Sequence, residues 1–193
     1  ERAAEFLDYV TSRDPSNLKP LQGQYLTMCN PRGGVIDDLI VYNLEDYYLM
    51  VYNAANRAKD YQWLVSNAEP FEVKVRDVSD ETVMFALQGP RALSTLQKIA
   101  KGDLTGIRRF WVEWREVAGL EALVMRSGYT GENGFEIILF DVTISNPGSA
   151  LKLWNGILGA GKELQVKPCG LGARDSLRLE AGMCLYGNDL TDE

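Results

Sequence analysis

The chain has 193 residues, of which 46% are hydrophobic and 24% charged, an ordinary balance for a globular protein with a sizeable core. Its net charge of -7 argues against a general binder of nucleic acid or membrane surfaces, and no apolar run is long enough to span a bilayer. The sequence contains no histidine and no paired cysteine spacing, which argues against a metal site and predicts three buried thiols in a reducing compartment.

The first half of the chain is predicted to combine helices with an antiparallel meander. A helix within residues 1–13 has the apolar stripe Ala3, Phe6, Leu7 and Val10. Strands are predicted over 22–29, from the Gly33-Gly34 turn to Tyr42, and over 47–52. A helix over 54–68 has Ala58, Tyr61, Leu64 and Val65 as its apolar face. The alternation over 71–76 predicts a half-exposed strand.

The second half is predicted to hold more strands and three helices. Strands are expected over 82–87, 110–117, 120–126 and 135–140. Helices are expected to begin at Pro90 and to span 149–158 and 173–181. The fold class is therefore α+β with mostly antiparallel sheets. The best boundary lies near 88–90, which gives one lobe over residues 1–88 and another over residues 89–193.

Asp37 and Asp38 interrupt the apolar run that follows Gly33 and Gly34. Successive side chains of a strand point to opposite faces, so the two carboxylates cannot both enter one cavity. One is predicted to face a pocket and the other a turn, backbone donors or water. The alternative is a pair of carboxylates satisfied by backbone amides at a strand entrance.

The loop 127–134 carries three evenly spaced glycines and leads into a strand that contains Glu136. Glycines let a backbone approach a ligand closely, and Tyr129 could stack on that ligand or donate to it. Glu136 is surrounded by apolar residues, and a buried carboxylate without a partner costs several kcal/mol. Its partner could be an amidine-like edge, such as the aminopyrimidine of a pterin, or an arginine of the protein.

Arg174 and Arg178 are four residues apart, on one face of a helix whose glycine-rich start favours an anion. Asp175 could instead neutralise Arg178 as a surface pair. Neither a dinucleotide fingerprint nor a P-loop is present. These stretches predict a pocket for a flat, nitrogen-rich, partly anionic ligand, but they do not name a reaction.

The same stretches resemble the T-proteins of the glycine cleavage system, the folate-dependent aminomethyltransferases. The matching segments are 33–41, 86–90, 128–137, 169–182 and 185–189, in the family's order and spacing. The resemblance implies a partial T-protein-like folate-binding fold. It also implies a transferase that passes the one-carbon unit of aminomethyl-lipoyl H-protein to tetrahydrofolate, releases ammonia and forms 5,10-methylenetetrahydrofolate.

The resemblance also implies roles for individual residues. Asp37 matches the family's essential aspartate, which orients the folate and stabilises the cationic carbon or moves a proton. Glu136 matches the folate-contacting glutamate, and Tyr129 lines the pterin pocket. Arg174 matches a substrate-binding arginine, assigned here to the anionic folate tail.

Asn53 and Asn56 are weaker candidates for the same pocket. No metal is implied, tetrahydrofolate enters as a substrate, and lipoylated H-protein is the partner. The family works in prokaryotic cytoplasm and in the mitochondrial matrix, so either location is expected and secretion is not.

Family members begin earlier than this chain and continue past Glu193 into a C-terminal β-rich domain. The chain is therefore expected to be a fragment with little or no transferase activity of its own. Two relatives of the same fold are alternatives: the folate domain of sarcosine or dimethylglycine dehydrogenases, and a non-enzymatic iron-sulfur assembly factor. The latter typically carries a cysteine-tyrosine-glycine-glutamine motif, where this chain has Cys169-Gly170-Leu171-Gly172.

Overall fold

The computed structural model describes residues 2–193, which form two compact units. The first unit ends at Asp77 and takes in Cys184–Glu193, and the second spans Val78–Met183. Among the described residues, the helices are too short or too polar to cross a membrane.

The first unit is built on the antiparallel meander that the sequence predicts. Its strands are β1 (Gly23–Cys29), β2 (Val35–Asn43) and β3 (Tyr48–Tyr52), in that order across the sheet. The turn before β2 needs a glycine, because Gly33 has a φ of 90°. The Asn30 side chain closes this turn by accepting hydrogen bonds from the backbone of Arg32 and Gly34.

Two helices, α1 (Ala3–Val10) and α2 (Arg57–Ala68), share an apolar core with this sheet. The predicted stripe of α1 is confirmed, since Phe6, Leu7 and Val10 are buried. The predicted apolar face of α2 is confirmed at Leu64, which is buried, and wrong at Ala58 and Val65, which are exposed. The buried residues of α2 are Asp60, Leu64 and Ala68, one helical turn apart. The core-facing stripe of α2 therefore begins with a carboxyl group.

The prediction of a strand over 71–76 is wrong. Glu69–Phe71 form a turn of 3-10 helix, after which Glu72 adopts a left-handed φ of 56°, and residues 73–76 pair with no strand of the described chain. Val73 and Val75 pack against the core of the first unit. The alternating pattern reports an extended segment with one side packed, and such a segment becomes a strand only beside a partner.

The second unit contains a four-stranded antiparallel sheet in the order β4-β7-β6-β5. The strands are β4 (Thr82–Gln88), β5 (Val112–Val117), β6 (Leu120–Met125) and β7 (Gly134–Phe140). Helices α3 (Ala92–Gln97) and α4 (Gly148–Gly161) complete its core, and α5 (Leu171–Glu180) follows. The predicted α+β class with antiparallel sheets is confirmed. The first helix after Pro90 begins at Ala92, two residues later than expected.

The prediction that all three cysteines are buried is wrong. They are thiols, but Cys169 and Cys184 are exposed and Cys29 is partly exposed. Cys169 and Cys184 lie just outside α5, in a segment where most side chains are exposed. The exposure of the surrounding chain, rather than the apolar character of sulfur, decides their environment.

Candidate functional site

The candidate site of the first unit is centred on Asp37, whose side chain is fully buried in β2. Asn53 donates to it twice, from the side-chain amide to Oδ1 at 2.9 Å and from the backbone to Oδ2 at 3.2 Å. Asn56 donates to Oδ1 at 2.9 Å. The three predicted residues Asp37, Asn53 and Asn56 are thus in direct contact. The donors are neutral amides, so they satisfy the carboxylate oxygens without adding a positive charge.

Asp38 has different surroundings, as the alternation of side chains along a strand predicts. It is partly exposed, and its Oδ2 accepts a hydrogen bond from the Tyr25 hydroxyl at 2.9 Å. Its Oδ1 accepts from the Asn53 amide at 2.8 Å. Asn53 therefore joins a buried carboxylate to a partly exposed one.

A third carboxyl group, which sequence reasoning missed, lies beside Asp37. Asp60 is fully buried, and neither of its oxygens receives a hydrogen bond from the described chain. Burial, and then the hydrogen bond and negative charge of Asp37, raise the pKa of Asp60 to about 8. The available signal was its position in the helix, four residues after Asn56 and four before Leu64.

The candidate site of the second unit is centred on Glu136, which lies in the middle of β7 opposite Ala86 of β4 and Met125 of β6. Glu136 is 9% exposed, and its Oε2 accepts a hydrogen bond from the Ser127 hydroxyl at 2.5 Å. Within residues 2–193, no arginine forms an ion pair with it, and the second carboxylate oxygen has no hydrogen-bond donor. The carboxylate is therefore only half satisfied by the protein.

Tyr129 and Arg174 contact each other in the same unit. The Arg174 guanidinium lies 4.4 Å from the centroid of the Tyr129 ring, within cation–π range. Arg174 is exposed on α5, whereas Arg178, one turn later, is buried and pairs with Asp175 at 2.9 Å. The predicted pairing of Arg178 is present, and Arg174 is the arginine of this helix that faces solvent.

A cavity of about 210 Å³ lies against the glycine loop of the second unit. Arg109, Arg126 and Ser127 contribute to its lining, together with Met183 and the loop backbone. It does not include Glu136, Tyr129 or Arg174, so it touches the predicted site only through Ser127.

The Gln88 side chain holds the glycine loop 127–134 in place. Sequence reasoning did not identify it as a contributor to the site. Its amide donates to the carbonyl of Ser127 at 3.1 Å, and its Oε1 accepts from the Thr130 hydroxyl at 3.0 Å. A Cβ atom added at Gly128 or Gly134 would collide with Gln88. These glycines admit a side chain of the protein rather than leaving the backbone open to a ligand.

Gly128→Ala is therefore expected to lower the free energy of unfolding by about 1–3 kcal/mol, because Gln88 must give up its hydrogen bonds to the loop. Gly159→Ala in α4 is the matched control. Nothing lies within 4 Å of its added Cβ, and alanine has the better helix propensity, so stability should hold or rise. Chemical denaturation of both variants makes the comparison. Equal stabilities would show that Gln88 does not restrain the loop.

Residues 1–193 match the family described as the GCVT N-terminal domain. The chain is 47% identical over 193 residues to a protein named aminomethyltransferase from Caldanaerobacter subterraneus subsp. tengcongensis, covering 99% of this chain and 50% of that protein. It is 41% identical to the aminomethyltransferase of Thermotoga neapolitana, covering 100% of this chain and 52% of that protein. The chain thus spans about half the length of the curated relatives it matches.

Solved structures that share its fold include the following two. The glycine cleavage system aminomethyltransferase T from Bartonella henselae matches with a TM-score of 0.86 at 37% identity, covering 100% of this chain and 50% of that one. The heterotetrameric sarcosine oxidase from Corynebacterium sp. U-96 matches with a TM-score of 0.60 at 17% identity, covering 88% of this chain and 78% of that one. At 17% identity the likeness concerns the fold alone.

Proposed function

The chain belongs to the family of the GCVT N-terminal domain, and from this we propose that the protein carrying it is an aminomethyltransferase of the glycine cleavage system. The observation that carries the proposal is the 47% identity to a curated aminomethyltransferase across 99% of the chain. A sarcosine-dehydrogenase type of folate domain is less well supported, because the likeness to sarcosine oxidase is one of fold at 17% identity.

The proposed reaction moves one carbon without any change of oxidation state. The methylene group leaves the lipoyl sulfur and the amino nitrogen of aminomethyl-lipoyl H-protein, and it forms bonds to N5 and N10 of tetrahydrofolate. The protons that N5 and N10 lose go to the thiolate and to the departing amine. The products are dihydrolipoyl H-protein, ammonia and 5,10-methylenetetrahydrofolate.

In this proposal Asp37 supplies the negative charge that stabilises the cationic, iminium-like carbon as ammonia leaves. Its burial supports this role, because a charge held in a low-dielectric interior acts more strongly than one in water. Asn53 and Asn56 fix the orientation of its carboxylate. Asp38 is a neighbouring carboxylate that is partly exposed. The role of Asp37 is therefore tested by comparing substitutions of the two aspartates.

In the second unit, Glu136 is proposed to bind the pterin. Its half-satisfied carboxylate can accept the paired N–H donors of an aminopyrimidine edge. Tyr129 is proposed to line the pterin pocket, and Arg174 to bind the anionic folate tail. The Arg174 guanidinium, which lies 4.4 Å from the centroid of the Tyr129 ring, is exposed and has several N–H groups that can donate to a carboxylate.

The proposal is tested by incubating the full-length protein with aminomethyl-lipoyl H-protein and tetrahydrofolate. Ammonia and 5,10-methylenetetrahydrofolate are expected in equal amounts, and both should require the lipoyl arm. A parallel reaction with unloaded H-protein is the control. Failure to release ammonia from loaded H-protein, in a preparation that binds tetrahydrofolate, would remove the aminomethyltransferase assignment while leaving a folate-binding protein.

A further inference from the structure

Asp60 occupies a position where an ionised carboxylate would have nothing to bind. Its side chain is fully buried on the core-facing side of α2. Within residues 2–193, neither carboxyl oxygen accepts a hydrogen bond. Buried polar groups are nearly always hydrogen-bonded, because an unpartnered charge in a low-dielectric interior is strongly unfavourable. The neutral, protonated form of the Asp60 carboxyl group is therefore favoured over an ionised form without a partner.

The group that faces Asp60 is itself an acceptor. Asn56, four residues before Asp60, donates to Asp37, and the hydrogen bond and charge of Asp37 are, after burial, what raises the pKa of Asp60. The Asp37 carboxylate already accepts from Asn53 as well. Two carboxylates in contact repel each other when both are ionised, but one proton between them makes a hydrogen bond in which the acid donates and the anion accepts. Because Asn53 and Asn56 already donate to Asp37 whereas nothing donates to Asp60, the hydrogen-bond pattern places the shared proton on Asp60.

We propose that Asp60 is a positioning residue for Asp37: its carboxyl group keeps a proton at neutral pH and donates it in a hydrogen bond to the Asp37 carboxylate. Asp37 then accepts from Asn53, Asn56 and Asp60, which are all neutral, and so keeps its full negative charge in a fixed orientation. The shared proton follows from the first unit alone, whereas its effect on one-carbon transfer rests on the proposed function.

The other charged groups near Asp60 act in opposite directions. Asp37 and Asp38 of β2 favour its neutral form, and the neighbouring Lys59 of α2 favours its ionised form. The Lys59 ammonium donates to the Ile36 carbonyl and to the Tyr186 hydroxyl. The first turn of a helix also favours an anion. Burial and the contact with Asp37 outweigh these effects, in line with a pKa of about 8 for Asp60.

The first test is the pH dependence of stability in the full-length protein, compared with Asp60→Asn. The Asp60 pKa is raised on folding, so its stabilising effect is complete below the ordinary value of 3.8 and is lost as the pH rises toward about 8. The unfolding constant of the wild type, divided by that of Asp60→Asn, should rise about tenfold per pH unit between about pH 5 and pH 7. A ratio that does not change with pH would overturn the proposal.

Carbon-13 NMR of the aspartate carboxyl groups decides the same question without relying on a variant at position 60. One carboxyl resonance of the wild type is expected to titrate near pH 8, and in Asp37→Asn this resonance should titrate at a lower pH. The proposal fails if every aspartate carboxyl of the wild type titrates in the ordinary acidic range. It also fails if Asp37→Asn leaves the high-pH titration where it was.

Kinetics then test whether the proton matters for transfer. Asp60→Ala removes a donor to a charged group and is expected to lower kcat about tenfold or more, with a smaller change in the KM for tetrahydrofolate. Asp60→Asn should keep most of the wild-type kcat, because its amide donates without titrating. The wild-type kcat is expected to decline above pH 8, as Asp60 loses its proton, and Asp60→Asn should not show this decline. Equal impairment of the two variants would refute the positioning role.

A wild-type enzyme with no transfer activity would refute the proposed function, while the stability and NMR measurements would still decide the protonation state of Asp60.

Discussion

Glu136→Gln is expected to weaken the binding of tetrahydrofolate about a hundredfold or more. A carboxylate accepts two N–H donors of an aminopyrimidine edge, and each hydrogen bond to a charged group contributes about 1.5–3 kcal/mol. Glutamine keeps one acceptor and replaces the other by an N–H group, which would face a donor of the ligand. The loss of one such bond together with a donor–donor contact gives the expected change, since about 1.4 kcal/mol corresponds to a factor of ten.

Calorimetric titration of tetrahydrofolate into the full-length protein and the variant measures this change. The matched control is Glu121→Gln, which makes the same substitution at an exposed position of the adjacent strand β6 and should bind like the wild type. The Ser127 hydroxyl can donate to the oxygen of glutamine as it does to Glu136, so the fold should be retained. Unchanged binding in Glu136→Gln would move the pterin site away from Glu136.

The parts of the fold that the sequence predicts well are those where a local pattern has one physical solution. The meander of β1, β2 and β3 follows from apolar strands separated by turn residues, among them Gly33 with its positive φ. The prediction of a strand over 71–76 was wrong because the alternation of apolar and charged side chains is a local pattern. A strand also requires a partner strand elsewhere in the chain. Val73 and Val75 satisfied the same pattern by packing on a core.

The residues of the candidate site likewise differ in whether a local sequence pattern reveals them. Asp37 and Glu136 stand out in sequence because each interrupts an apolar strand, and both are buried in the structure. Asp60 does not stand out, because a helix with many polar residues hides one carboxyl group on its core-facing side. Gln88 is concealed for another reason: its contacts with Ser127 and Thr130 join segments about forty residues apart, which no local spacing reveals.

Asp37→Asn is expected to lower kcat for transfer to tetrahydrofolate about a hundredfold or more, with the KM for tetrahydrofolate changed by less than about threefold, because the charge acts on the developing cation and not on ground-state binding. The substitution also removes an acceptor from a site with Asn53 and Asn56 as donors. A buried donor left unpaired costs about 1–3 kcal/mol, so the variant should also unfold more easily. Activity must therefore be measured at a temperature at which thermal unfolding curves show both proteins to be folded.

Asp38→Asn tests whether the loss of kcat is specific to Asp37 or follows the removal of any carboxylate in this part of β2. Asp38 is partly exposed, and an asparagine oxygen can still accept from the Tyr25 hydroxyl, so a loss of kcat below about tenfold is expected. If Asp38→Asn instead causes the larger loss, the partly exposed carboxylate meets the reacting carbon. Asp37 would then belong with Asn53 to the group that holds Asp38 in place, since the Asn53 amide donates to both carboxylates.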